Sequence, residues 1–518
     1  TSLGVPESAA ARAFAKWSDR SLAAWQAAAR DDLFDALQRH AAAIGDPFAL
    51  RRETLDTQPV VITGHQVEFY HAGVWAKVLA TDELARRTSG VGIDLLVDHD
   101  VLDHLGFDVP VETDGKWGRE AVEFRAAGGA IASDGVLPPT QEEYAAWTGT
   151  LDTLQWAHSD TLREFLAAAR VDGKADDQSN QSDRASYTHW LSHARRTVER
   201  SLGINVHHVT TGALCDGNTF AAFVALWIDH AVPFADSYNA QLAAYRERNG
   251  ISNPNQPMPD LAVRRNAVEL PFWIYKPGQA RQRLVVITHQ GERGIYFDED
   301  ILPLPDALSD AAALAAWRKA LRAAGVVIRP RALTLTMFAR LFLADLFIHG
   351  IGGAIYDQIA DAILCDLFAC QTPYACVSAA WMLPLGQAAP NADVTQLRMR
   401  RHHLEHNPQL GINSLTAVRT DLAERLLERR TLIAALADSV RDHRRDGKNE
   451  RTTMFRRLHE VNAELHERTP QMLATIDQQI AEAIAQQTRN AVLKHREFFW
   501  ALHDTENLRA LREKIAAA

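Results

Sequence analysis

A short apolar run at 59–63, PVVIT, stops at Gly64, and a second strand-like run, IDLLV, follows at 93–97 with a helical stretch of about 73–87 between them. Runs this brief, bounded by glycine, fit strands buried on both faces of a parallel sheet. Parallel neighbours cannot be joined by a tight turn, so the stretch between them must be a crossover helix lying on the sheet. Strand, helix, strand is a βαβ unit, and it commits the chain to an α/β core.

Around that unit the pattern is mixed. Residues 8–44 read as a helix, with Ser8 as cap and Phe14, Trp17, Leu22, Trp25, Leu33 and Leu37 at helical spacing, ended by Gly45, Asp46 and Pro47. The segments 125–140 and 172–184 are loop-like, and helices lie between and after them as far as Leu202. INVHHVTT (204–211) reads as a strand and TFAAFVALWIDH as the start of a helix. Pro254, Pro257 and Pro259 exclude helix nearby. WIYKPGQARQRLVVI reads as a hairpin turning at Pro277 and Gly278. A helix at 309–324 and a strand-like VVIRPRALTLTMF follow, then a helical run interrupted by HGIGG (349–353).

Beyond residue 386 the character changes. Leu415, Val418, Leu422, Leu426, Ile433, Leu436 and Val440 recur at three- and four-residue steps, and Phe455, Leu458, Val461 and Leu465 do so beyond a turn at 445–450. Pro470 interrupts, and Met472, Ile476, Ile480 and Ile484 continue the stripe. So narrow a stripe predicts an antiparallel helical hairpin of coiled-coil type over about 410–490. The expected division is a helical arm (1–58), an α/β core (59–385) with insertions around 110–202 and 253–300, and a C-terminal helical domain (386–518).

With 518 residues, two or three cores are expected. A net charge of -10 argues against nucleic acid or a membrane surface as partner, since both select a basic face. Cys215, Cys365, Cys370 and Cys376 have no Cys-x-x-Cys spacing and are expected as reduced thiols. No cationic flank precedes an apolar stretch at the start, and no window reaches 18 uncharged apolar residues. A cytoplasmic protein is the expectation.

The chemistry should gather at the strand ends. After the first strand stand Thr63, Gly64, His65 and Gln66, and a helix opens near His71 and Gly73 with Lys77 one turn in. A helix start behind a parallel strand offers free N–H groups and a positive dipole to an anion. After the second strand come Asp98, His99, Asp100, Asp103 and His104, a set suited to an ammonium group, a ribose, a hard metal or base catalysis. His349, Gly350, Gly352 and Gly353, leading to Tyr356, allow a backbone to approach a ligand closely. The RHHLEH run (401–406) matches the His-x-x-Glu-His metalloprotease pattern, but it stands at a helix end before Pro408, and no metal is expected there. His207 and His208 lie on opposite faces of a strand, and Arg281 and Arg283 could meet a carboxylate, with surface placement the expectation.

In their order these elements resemble the cysteine-adding enzyme family of bacillithiol biosynthesis. That family has a Thr-Gly-Gln-Gln strand end, a Thr-Gly-Pro helix start with a following lysine, Glu-Asp-His-Asp after the next strand, and a Tyr-Val-Gly-Gly-Pro-Gly-Glu stretch. Here TGHQ (63–66), HAG (71–73), Lys77, DHD (98–100) and FIHGIGG (347–353) take those places. His65 replaces a glutamine, and the lysine comes two residues early. LTLTMFAR (333–340) and HREFFWALHD (495–504) stand where the family's Arg-Pro-x-x-Gln-Asp and Gln-Glu-Arg motifs would be.

The resemblance implies a Rossmann-like nucleotide-binding core with inserted connecting segments and a C-terminal coiled coil; the narrow apolar stripe makes a homodimer through the coil one assembly. It implies amide formation between an amino acid, cysteine in the family, and an amino-sugar conjugate such as glucosaminyl-malate. ATP is the simplest source of activation. His71, Asp98, His99 and Asp100 would be catalytic. Thr63, Gly64, His65, Gln66, Gly73, Lys77, His349, Gly350, Gly352, Gly353 and Tyr356 would bind substrate or nucleotide. A nucleotidyltransferase acting on a small molecule and a non-catalytic assembly protein with a relict core are the alternatives.

Overall fold

Strand β1 (Val60–Gln66) is fully buried through its apolar half and opens only from Gly64 onward, so the chain emerges from the core where the polar residues begin. In a computed structural model, which describes residues 20–154, 159–171, 186–368, 370–412, 420–441 and 448–518, the strands after it run in chain order. They are β2 (Val91–Val97), β3 (Leu105–Thr113), β4 (Lys116–Arg125), β5 (Val206–Thr210), β6 (Val263–Arg264), β7 (Ala267–Tyr275), β8 (Gln282–His289), β9 (Glu292–Phe297), β10 (Asp300–Pro303), β11 (Val327–Pro330), β12 (Leu346–His349) and β13 (Tyr374–Cys376). The helices used below are α1 (Leu22–Ile44), α2 (Ala72–Thr88), α3 (Tyr187–Ser201), α4 (Ile351–Phe368), α5 (Val394–His406), α6 (Thr420–Arg441), α7 (Lys448–Arg468) and α8 (Pro470–Leu493).

The fold is mixed α/β with a five-stranded parallel sheet in the order β13-β12-β1-β2-β5. Register runs from Val60 opposite Val91 to Gln66 opposite Val97, and Val61 faces Leu346 on the other side. Chain order proceeds outward from β1 through β2 to β5, then returns to β1's other flank with β12, so the sheet changes winding direction between β1 and β12. Alternate β1 residues serve different layers. Val60 and Ile62 share a core with Leu33 and Leu37 of α1 and Ile359 and Ile363 of α4; Val61 packs with Ala80 of α2 and Ile348. A second sheet, β10-β9-β8-β7-β11 with β6 beside β7, is antiparallel. Its β7–β8 hairpin turns through Gly278 at φ 82°, as the Pro-Gly pair predicts.

Three expectations need correction. The strand-like reading of 326–338 holds only for β11; Ala332–Phe338 is helical. The Thr334 hydroxyl lies at hydrogen-bond distance from the carbonyls of Pro271 and Arg331, which satisfies polar groups a strand would have left to a ladder. The arm expected at 1–58 has its described helix α1 inside the main core, because Ala29, Leu33 and Ala36 bury completely against it. The C-terminal region does not stay together: the chain divides into two compact units, Thr1–Val109 with Ala121–Pro384 and Arg496–Ala518, and Pro110–Glu120 with Leu385–His495. Arg496–Ala518 belongs to the first because Trp500, fully buried, stacks on Trp75 at 4.6 Å with planes 3° apart.

The second unit is helical. Ion pairs Arg425–Glu464, Arg457–Glu428 and Arg468–Asp421 set α6 and α7 antiparallel, around a small core of Ile412, Leu422, Val461 and Leu465. The stripe is not a buried seam throughout, for Val440 and Phe455 are 63% and 56% exposed. Leu415 and Val418, the residues at 445–447, and Ser8, Phe14 and Trp17 lie outside the described residues. No helix among the described residues is long and apolar enough to cross a membrane.

Candidate functional site

The loops at the carboxyl ends of β1, β2 and β12 line a cavity of about 680 Å³ in the first unit. It sits where the parallel sheet changes winding direction, the position at which open α/β sheets place their ligands. A larger cavity, about 1350 Å³, lies in the helical unit among α5, α7 and α8. It has no strand end on its wall, and the smaller cavity is the candidate site.

From β1 come Gly64, His65 and Gln66; from the start of α2, His71, Gly73 and Lys77; from β2, His99 and Asp100; from β12 and α4, His349, Gly350, Gly352, Gly353 and Tyr356. Four of the residues read at the strand ends are not on the wall: Thr63, Asp98, Asp103 and His104. Thr63 is fully buried and its hydroxyl donates to Ile348 O. Asp98 turns inward, accepting from Thr211 Oγ1 at 2.9 Å and from Gly212 N at 2.8 Å, with burial raising its pKa. Adjacent turn residues cannot all face one cavity, and here Asp100 takes the cleft while Asp98 anchors the loop. Asp98 is therefore turned away from the cleft.

Helix α2 starts against the cavity for a local reason. His71 caps it, Nδ1 accepting from Gly73 N at 3.1 Å, and any Cβ on Gly73 would collide with the Ala379 carbonyl and the His71 ring. Lys77, 6% exposed, donates to Gly64 O at 2.7 Å. Burial lowers its pKa to about 8, against the pull of Asp94. His65 stacks on Tyr70 at 5.3 Å; burial, with Lys77 and Arg195 adding to it, drives its pKa well down, so it is neutral. Its Nδ1 is buried without a hydrogen-bond partner. His99 is neutral too, burial taking its pKa to about 3, and its Nδ1 lies 2.8 Å from Thr211 Oγ1.

Asp100 is the one carboxylate among the described lining residues. Burial works to raise it, but Gln66 Nε2 at 3.0 Å and Arg281 at 2.9 Å outweigh burial and hold it below the ordinary carboxylate range. On the β12 side, His349 Nε2 is 2.7 Å from Asp357 Oδ2. Asp357 is 1% exposed; burial opposes its charge, yet His349, Arg340 and the Thr336 hydroxyl keep its pKa low. A buried carboxylate fixed this way orients the imidazole with Nε2 toward it.

The opposite wall comes from the antiparallel sheet and its neighbours, of which only Arg281 stands out in the sequence. Arg281 and Arg331 approach the Trp273 ring at 4.7 and 5.1 Å, and Arg331 pairs with buried Glu269 at 2.8 Å. Tyr238, Met258 and Arg496 also line the cavity. Arg281 reads as a surface residue until the hairpin register, Trp273 opposite Arg283, is used to seat it beside the tryptophan. His207 and His208 are not on the wall; His208 is buried 2.9 Å from Glu199. The wall thus carries Lys77, Arg281, Arg331 and Arg496 against one acid, with the first turns of α2 and α4 adding N–H donors. Such a surface suits an anionic ligand with more than one charged group.

Set against known proteins, the chain matches no protein-family model and no curated sequence.

Proposed function

We propose that the cleft binds a nucleotide or another phosphorylated anion and that the chain is an amide-forming ligase of the kind the cysteine-adding family represents. On this reading the parallel sheet is a Rossmann-like core, ATP activates a carboxylate, the helical unit is a coiled-coil assembly element, and the protein works in the cytoplasm. One observation carries the reading. The short motifs behind the resemblance lie far apart in sequence, yet Gly64–Gln66, His71, Gly73, Lys77, Asp100 and His349–Gly353 line the same cavity.

The roles follow from the site's electrostatics. The opening turns of α2 and α4, with Lys77, hold the phosphate or the activated carboxylate. Asp100 is too well stabilised as a carboxylate to be an effective base, so it holds the ammonium or amine of the second substrate. His349, backed by Asp357, accepts the proton as the amine nitrogen attacks the activated carbonyl and the phosphate-bearing group leaves. His71 and the helix N–H groups stabilise the charge that develops on oxygen.

The test is incubation of the protein with ATP, single amino acids and amino-sugar acceptors, with mass-spectrometric detection of an amide product and of AMP or ADP. Pyrophosphate release with a nucleotide-linked product would instead select a nucleotidyltransferase, and no nucleotide or amine binding at all would leave an assembly protein. Asp100→Asn should retain nucleotide affinity and lose turnover.

A further inference from the structure

The His-x-x-Glu-His run at the end of α5 has no part in the cleft and belongs to the helical unit. We propose that His402, Glu405 and His406 form a binding site for a divalent ion of the zinc class. Spacing of four puts the two imidazoles one above the other on the helix, and Glu405 projects beside them. The structure already gathers them. The two rings lie 4.4 Å apart between centroids, and one donor atom from each of the three residues lies within 4.8 Å of the others. Zinc with ligands at about 2.0–2.2 Å holds its donors roughly 3.4 Å apart. Rotation of exposed side chains closes that gap without moving backbone.

The helix end is held while they turn. The Glu405 carbonyl accepts from His466 Nε2 at 2.8 Å and the His406 carbonyl from Arg429 at 3.0 Å, so the last turn is tied to α6 and α7. Its carbonyls also present the negative end of the helix dipole to a cation. The competitor is Arg401, 3.0 Å from Glu405. An exposed pair of this type contributes little, and Arg401 keeps Asp477 at 2.5 Å, so giving up Glu405 costs little. Two imidazoles with one carboxylate favour late first-row divalent ions over Mg²⁺ or Ca²⁺, which take oxygen shells. Three protein donors leave a coordination position open.

Titration of tag-free, full-length protein with Co²⁺ tests the site. One equivalent should bind with the intense visible absorption of a low-coordinate Co²⁺ centre, and Zn²⁺ should displace it. His402→Asn combined with His406→Asn should lower affinity on the order of a hundredfold, and Glu405→Gln roughly tenfold. His403→Asn, off that face and on the wall of the large helical cavity, should change nothing. All are exposed, so the far-ultraviolet circular dichroism of each variant should match the wild type and separate lost binding from lost folding. Undiminished binding in the double variant, or no stoichiometric binding by the wild-type chain, overturns the assignment.

Discussion

Lys77→Met should stabilise the protein while weakening its hold on anions. Lys77 is 6% exposed, and burial brings its pKa to about 8 from an ordinary 10.5. The folded chain therefore binds this proton less tightly than the unfolded chain, so the charge works against folding wherever an unfolded lysine is protonated. The penalty is full below about pH 8, shrinks between 8 and 10.5, and is absent above. Its size is about 3 kcal/mol, each tenfold difference in proton affinity being worth about 1.4 kcal/mol. Methionine keeps the length of the stem and forfeits the hydrogen bond to Gly64 O, worth about 1 kcal/mol. A net gain of about 2 kcal/mol is expected at neutral pH. Equilibrium urea unfolding at a series of pH values measures it, and calorimetric titration with pyrophosphate or ATP measures the loss of affinity. The variant's advantage should fade as pH rises from 8 to 10.5. A variant less stable at neutral pH, or a difference that ignores pH, refutes the burial argument; unchanged anion affinity removes Lys77 from the binding site.

His71→Ala removes the cap on Gly73 N and should cost about 1 kcal/mol of stability, together with roughly a hundredfold in turnover. Melting and activity measured on the same variant decide whether capping is its whole role. Asp357→Asn breaks a buried pair with Arg340 and should cost about 3–5 kcal/mol at neutral pH. Because the folded Asp357 titrates below its ordinary 3.8, its contribution is present above that value and lost as pH falls through the folded one. Acid unfolding followed by circular dichroism should accordingly show the two proteins converging in strong acid. If the helical unit mediates assembly as proposed, Val440→Glu with Phe455→Glu, at residues 63% and 56% exposed, should bring the mass read by light scattering down to a monomer's; a monomeric wild type removes the assembly reading.

The βαβ unit was legible because its two short runs are apolar but for Asp94 and its crossover could only be helical. The hairpin was legible because Pro277 and Gly278 admit little else. What escaped depended on distant partners. Thr334 and Thr336 favour a strand by local preference, yet Thr334 completes hydrogen bonding around Pro271 and Thr336 donates to Asp357, and neither partner is visible in a window of sequence. The aromatic run Phe498–Trp500 gave no periodicity that would return it to the first unit; its reason is Trp75 and Phe69, more than four hundred residues earlier.

The candidate site shows the same split at the level of single side chains. Gly64, His65, Gln66, His71 and His349 could be proposed from sequence because parallel strands deliver their carboxyl ends to one edge whatever the residues between them. The DHD turn could not be resolved in that way, since direction within a turn depends on what receives each side chain. Thr211 and Gly212 receive Asp98, and Arg281 receives Asp100. Those receivers come from β5's exit and from the hairpin of the other sheet, neither of which a motif contains. The cleft's one acid among the described residues owes its low pKa to Gln66 on the first sheet and Arg281 on the second. Its charge is therefore a property of how the two sheets are brought together, and so is the division of the wall into a cationic side and a single carboxylate.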